Sequence, residues 1–251
     1  MKSVLKKSTT VAAIILSNVT IANAQIDLSK YELGISGGVL VYQGDLSPEK
    51  IGAYKTMKPQ LGIQVSRILS PSFAVRLNFT KGKLYGNDAV YNNPDWRKQR
   101  NFNFTSPVTE FSLQGVWNIR PNSYSRFSPY VFGGVGLSFL KVKRDWSNMN
   151  TEVFGSGSDV QNGLTVDAAT STPRTIPVIP VSAGLRYALN NRFSLTAETS
   201  YRLSFTDYVD GFSQSANPNK NDHYFSHSIG LIYSFSGIGS KIRSLGCPRV
   251  N

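Results

Sequence analysis

Residues 193–205, FSLTAETSYRLSF, alternate without a break. Phe193, Leu195, Ala197, Thr199, Tyr201, Leu203 and Phe205 fall on one side of an extended chain, and Ser194, Thr196, Glu198, Ser200, Arg202 and Ser204 on the other. Such a run reaches about 40 Å, roughly twice the usual strand of a water-soluble domain. Seven more stretches carry the same period, near 31–42, 60–67, 73–82, 107–119, 129–141, 177–187 and 223–235. In the fifth of these eight runs, Tyr130 and Phe132 share a side with Gly134, Gly136 and Ser138. Pro177 and Pro180 blur the start of the next. No helical period competes, so the chain reads as all-β with eight strands.

The links alternate in length. Short ones at 70–72, 121–128 and 190–192 are interleaved with long ones at about 43–58, 83–106, 142–176 and 206–222. That rhythm predicts an antiparallel up-and-down meander, with four long loops at one end and three short turns and both termini at the other. The segment 155–163, GSGSDVQNG, reads as the most mobile part of the loops.

Alternation alone does not say which face is buried. The polar faces hold Gly, Ser, Thr, Gln and Asn instead of the Lys and Glu common on solvated strands. No charged residue stands in the middle of an apolar face, and Arg67, Lys81, Lys83, Lys141 and Lys143 fall at strand ends. Hydrocarbon explains this, since an arginine facing the bilayer midplane costs about 2–4 kcal/mol and little near the interfaces. Tyr31, Tyr187 and Tyr208 are expected in an interfacial aromatic girdle. Closure is then compulsory, because no backbone donor can stay unpaired in lipid. The predicted fold is an eight-stranded transmembrane β-barrel with four long outer loops and three short periplasmic turns. Its narrow interior receives Glu32, Arg76, Glu110, Arg186, Glu198 and Arg202, three acids and three bases expected to neutralise one another.

The first 24 residues match a secretory leader: Lys2, Lys6 and Lys7, a short apolar stretch from Val11 to Leu16, and Ala22-Asn23-Ala24 before the cut. The barrel is placed at 25–236 and a periplasmic tail at 237–251. Without the leader's lysines, 24 basic residues face 15 acidic ones, a net charge of about +9. In an exported chain this points to anionic outer-membrane lipid and lipopolysaccharide or to an acidic protein, not to nucleic acid. Cys247 stands alone, which excludes an internal disulfide framework and leaves a bond to another chain open. The tail around it, with Lys241, Arg243 and Arg249, is the candidate docking segment for a periplasmic partner.

Catalytic signals are weak. His227 shares the apolar face while Ser226 and Ser228 point the other way, a poor arrangement for nucleophile and base. Asp207, Asp210 and Asp222 share the last long loop, but their spacing is no calcium-loop pattern, and turn-forming aspartates are expected instead. The sequence therefore predicts no enzyme and no cofactor.

Tyr31-Glu32-Leu33-Gly34, Gly37-Gly38 and Tyr42-Gln43-Gly44-Asp45-Leu46 resemble the opening strand and first loop of PorG-like barrels, outer-membrane components of the type IX secretion system. Phe205-Thr206-Asp207-Tyr208-Val209-Asp210, Asn221-Asp222 and the strand Gly230 to Phe235 are similar to that family's end. The long loop 142–176 and the basic tail are departures. The resemblance implies a non-enzymatic subunit that associates with the machine's periplasmic ring, including a lipoprotein subunit. Gly44, Asp45, Asp207 and Asp210 lie in the long outward loops and are read as loop-packing turns, not ligand sites. The alternative is a free-standing structural or adhesive barrel of the OmpA/OmpX type; a lipid-modifying enzyme is the third class.

Overall fold

The computed structural model describes residues 27–121 and 126–236. The leader and the tail, with Lys241, Arg243, Cys247 and Arg249, lie outside the described residues. Strands β1 (Tyr31–Gln43), β2 (Lys58–Ile68), β3 (Phe73–Asn87), β4 (Asn103–Asn118), β5 (Phe127–Leu140), β7 (Thr175–Ala188), β8 (Phe193–Ser204) and β9 (His223–Ser234) each pair antiparallel with the next. β9 returns to β1 and closes an eight-stranded barrel. A short β6 (Lys143–Asp145) extends the sheet beside β4 at the loop end.

Tight turns carry their own hydrogen-bond acceptors. Asn190 Oδ1 accepts the amides of Arg192 and Phe193 at 2.8 and 2.9 Å, turning β7 into β8. β3 and β4 run further than their alternation suggests and stay paired from Phe73–Trp117 to Asn87–Asn103, so the barrel wall rises above the belt on that side.

Side chains follow the expected faces. Ile229 is 69% exposed and Leu113 49%, whereas Ser112 and Ser200 are 5% and 4% exposed and point inward. Around the turn end Phe73 faces Trp117, Phe127 faces Tyr187 and Phe193 faces Tyr233 across neighbouring strands. These make an outward aromatic rim that includes Tyr187. Tyr208 is not part of any such girdle: its hydroxyl donates to Asp167 Oδ1 at 3.2 Å among the loops.

Two further expectations are corrected. The interior is not polar throughout. Towards the loops Leu40, Leu84, Phe104, Val108, Leu140 and Val178 of the strands form an apolar plug continuous with Leu46, Phe102, Val209 and Phe212 of the loops. Alternation hides this layer because Val39-Leu40-Val41-Tyr42 is apolar on both faces. The stretch 155–163 is not loop throughout: its second half, from Asp159, is helical. Helices α1 (Trp96–Arg100) and α2 (Asp159–Ala169) occupy the long loops, and α2 begins where Ser158 Oγ caps Gln161 N at 3.1 Å.

Leu113 lies exposed in the outer apolar belt, and Leu113→Arg is expected to destabilise the barrel refolded in phosphatidylcholine vesicles by about 2–4 kcal/mol. Urea titration measures it, and an unchanged midpoint means that this belt does not meet lipid.

Candidate functional site

The lumen is layered by charge. Nearest the turns, Arg186 grips Glu32 with both nitrogens at 3.1 and 3.0 Å, and Ser234 donates to the same carboxylate at 2.8 Å. Above it Arg76 and the Tyr130 hydroxyl both donate to Glu198 Oε1, at 2.9 and 2.6 Å. The Arg76 guanidinium lies 4.7 Å from the Phe132 ring, while its Nε and Nη2 meet no acceptor among the described residues. So the two aromatics that broke the pattern of β5 wrap a buried cation. Gly184 faces Tyr130 so closely that any β-carbon would enter the ring, which is why the wall there is glycine. In the third layer Arg202 Nε donates to Glu110 Oε2 at 3.2 Å and Tyr224 Oη donates to it at 2.9 Å. Arg202 also donates to Ser226 Oγ. The six charges singled out from the sequence thus stand in three pairs, one per layer.

Over the plug the loops form a cap. Tyr42 Oη lies 2.6 Å from Asp210 Oδ2 and 2.7 Å from Asp222 Oδ1. A phenol has one proton to give, so both contacts are hydrogen bonds only when one carboxyl keeps its own proton and donates it to the phenolic oxygen. Burial and mutual repulsion agree, raising both carboxyls well above the usual carboxylate range. Gly44 lies against this cluster, and a β-carbon there would overlap Tyr42 Oη and Asp222 Oδ1. Asp45 Oδ2 accepts Asn217 N at 2.8 Å, tying the first loop to the last, and burial pushes its pKa up to about 6. Asp207 has both carboxylate oxygens buried without a hydrogen-bond partner among the described residues, and burial pushes it up to about 7.

Two carboxylates that the sequence did not single out hold the cap together. Asp88 accepts Arg97 Nη1 at 2.8 Å and Arg100 Nε at 2.6 Å. Asp167, on α2, accepts the amides of Ser213, Gln214 and Ser215 at 3.1, 3.0 and 2.9 Å and the Ser215 hydroxyl at 2.6 Å. Burial alone would raise Asp167, but these donors hold it below the ordinary carboxylate value.

His227 bonds neither flanking serine; its ring nitrogens lie 2.9 Å from Tyr54 Oη and 3.1 Å from Thr199 Oγ1 on the outer wall. Among the described residues no cluster of three His, Cys, Asp or Glu is placed to hold a metal ion.

A family model described as Domain of unknown function (DUF6089) matches residues 7–240. The chain belongs to this family. Among the curated proteins nothing matches the DUF6089 chain. Among solved structures it is similar to Neisserial surface protein A, at 14% identity and a TM-score of 0.48, over 82% of this chain and 97% of that one. It is similar to Ail of Yersinia pestis, solved with the heparin analogue sucrose octasulfate, at 12% identity and a TM-score of 0.43, over 81% and 96%. The outer membrane protein OprG of Pseudomonas aeruginosa follows at 14% identity and a TM-score of 0.39, over 80% and 94%.

Two outcomes are expected of the DUF6089 barrel. Glu110→Leu strands Arg202 without its carboxylate and is expected to cost about 3–5 kcal/mol, while adding Arg202→Met recovers most of the loss. Urea titration of the two variants in vesicles measures both. The second concerns pH. The folded pKa values of Asp45 and Asp207, about 6 and about 7, lie above their unfolded value, so the folded cap binds more protons. Its stability is full near pH 4 and falls as pH rises through 6 to 7. The urea midpoint read from Trp96 and Trp146 fluorescence is expected to drop between pH 5 and pH 8, and Asp207→Asn is expected to flatten that slope.

Proposed function

We propose that this chain is an exported outer-membrane barrel that works through its two ends, as a non-enzymatic subunit of the type IX protein secretion machinery. One observation carries the surface-acting part: the interior is occupied in every layer, by three ion pairs and then by an apolar plug under a packed cap. A lumen so filled suits neither a conduit for protein nor a binding cleft, which leaves the rim, the loops and the tail as working surfaces. The outward apolar belt, and the aromatic rim at its turn end, support placement in a bilayer.

The choice of machine rests on the resemblance of residues 31–46 and 205–235 to PorG-like barrels. In this reading the barrel anchors the periplasmic ring, with its lipoprotein subunit, through the basic tail that carries Lys241, Arg243, Cys247 and Arg249. A free-standing structural or adhesive barrel is the second reading, favoured by the cross-braced cap, which is more elaborate than an anchor requires.

Crosslinking in intact cells followed by affinity purification tests the choice. Ring proteins are expected to come down with the full chain and to be lost when 237–251 is deleted. A barrel recovered alone, in cells whose protein secretion survives its deletion, overturns the machine reading and leaves the second. A covalent adduct that disappears on reduction, and in Cys247→Ser, would show how the tail is held.

A further inference from the structure

The cap carries a polar pocket of about 380 Å³ at the junction of the first, second and last long loops, walled by Gly44, Asp45, Trp96, Arg97, Asn217 and Lys220 among others. Nothing in the scaffold role uses it. Its chemistry is uneven in a telling way. Arg97 is only 7% exposed, and its Nη1 is engaged by Asp88 and by the Asp45 carbonyl at 2.8 and 3.0 Å. Its Nε is buried with no acceptor among the described residues. A guanidinium braced in this way at the pocket wall, with one nitrogen left unmatched, is fixed in place with hydrogen-bonding capacity to spare. Arg97, Arg100 and Lys220 face the carboxylates of Asp88 and Asp45, which leaves a positive excess for an anion.

Beside these cations stands a large apolar plane. Trp96 is 43% exposed although two guanidinium carbons, of Arg97 and Arg100, lie 5.0 and 4.9 Å from its ring and fix its orientation. An indole held rigid at a pocket mouth offers a stacking surface at little entropic cost. Ser47, Asn217 and Asp45 add a hydroxyl, an amide and an accepting carboxylate around it. The volume falls at the lower end of the ~300–1,000 Å³ typical of ligand pockets, enough for one ring and its charged substituent but not for a folded partner.

We propose that this pocket binds a phosphorylated sugar, with the phosphate at Arg97 and Lys220 and the sugar ring on Trp96. The shared chemistry has two sources, the headgroup of a glycolipid in the surrounding leaflet and a diffusible sugar phosphate. Access from outside the cell rests on the outer-membrane placement proposed above; the pocket itself does not, so binding in detergent tests it separately.

Glucose 6-phosphate, glucose and inorganic phosphate are titrated calorimetrically into the full-length barrel in detergent. Glucose 6-phosphate is expected to bind at least tenfold more tightly than either fragment. Lys220→Ala, an exposed change, is expected to weaken it several-fold. Trp96→Ala is expected to remove the advantage over inorganic phosphate while leaving phosphate binding in place. Arg97 is avoided because it also braces the cap. In vesicles, loss of glucose 6-phosphate binding when lipid A is included assigns the headgroup source, and undiminished binding assigns the diffusible one. The proposal is overturned if glucose 6-phosphate does not bind, if it binds no better than phosphate, or if both variants bind as the parent does. Protease protection of the loops in intact cells reports the membrane placement independently.

Discussion

The pairing of β9 with β1 is the contact on which everything else depends. It runs from Glu32 opposite Ser234 to Gln43 opposite His223, joining strands that are nearly two hundred residues apart in the chain. Without it β1 and β9 each present a row of unpaired amides and carbonyls, tolerable in water but prohibitive in hydrocarbon. With it the sheet has no edge along the belt, and the apolar residues facing outward can meet lipid. Closure by eight strands also fixes the width of the interior, which is why so few side chains suffice to fill it.

A narrow closed interior then dictates the pairing of its charges. Arg76, Glu110 and Arg202 are all but fully buried, and a lone charge at such a depth would be expelled or neutralised. Each ion pair joins strands that are not neighbours: β1 with β7, β3 with β8, β4 with β8. They therefore cross the lumen instead of running along the wall. Such cross-ties need not add net stability, because well-packed apolar residues could serve as well. Their contribution is to disfavour shifted registers, since a slip by one residue turns an inward charge out to the apolar face.

What could be read from the sequence follows from this geometry. Strand period, loop rhythm and the identity of the inward charges are local properties, so Glu198 and Arg202 announce their face by their neighbours alone. Which acid meets which base is not local: Glu198 pairs with Arg76 across 122 residues and not with Arg202 four residues away. The cap is less legible still. Asp88 and Asp167 look like ordinary loop aspartates, and only the folded chain brings Arg97, Arg100 and the 213–215 amides to them. The usable hints lay in Asp45 and Asp210, read as loop-packing positions, and in Tyr42 and Gly44, where an apolar strand ends in a hydroxyl and a residue without a side chain.

That strand end links the lumen to the cap. Tyr42 and Tyr224 are opposite each other across the β1–β9 seam, and both rings are buried. Tyr224 joins the Glu110 layer through its hydroxyl, while Tyr42 joins the acids of the last loop. Asp222 lies immediately before β9 and also accepts the amide of Val209, so the loop is tied at both ends to the seam strands. Lifting the cap would uncover the apolar plug and break the proton-sharing contact between Tyr42 and two carboxyls in the same movement. The seam that makes the barrel possible is thus also where its loops are held, and a weakened β1–β9 register should loosen the cap before it opens the wall.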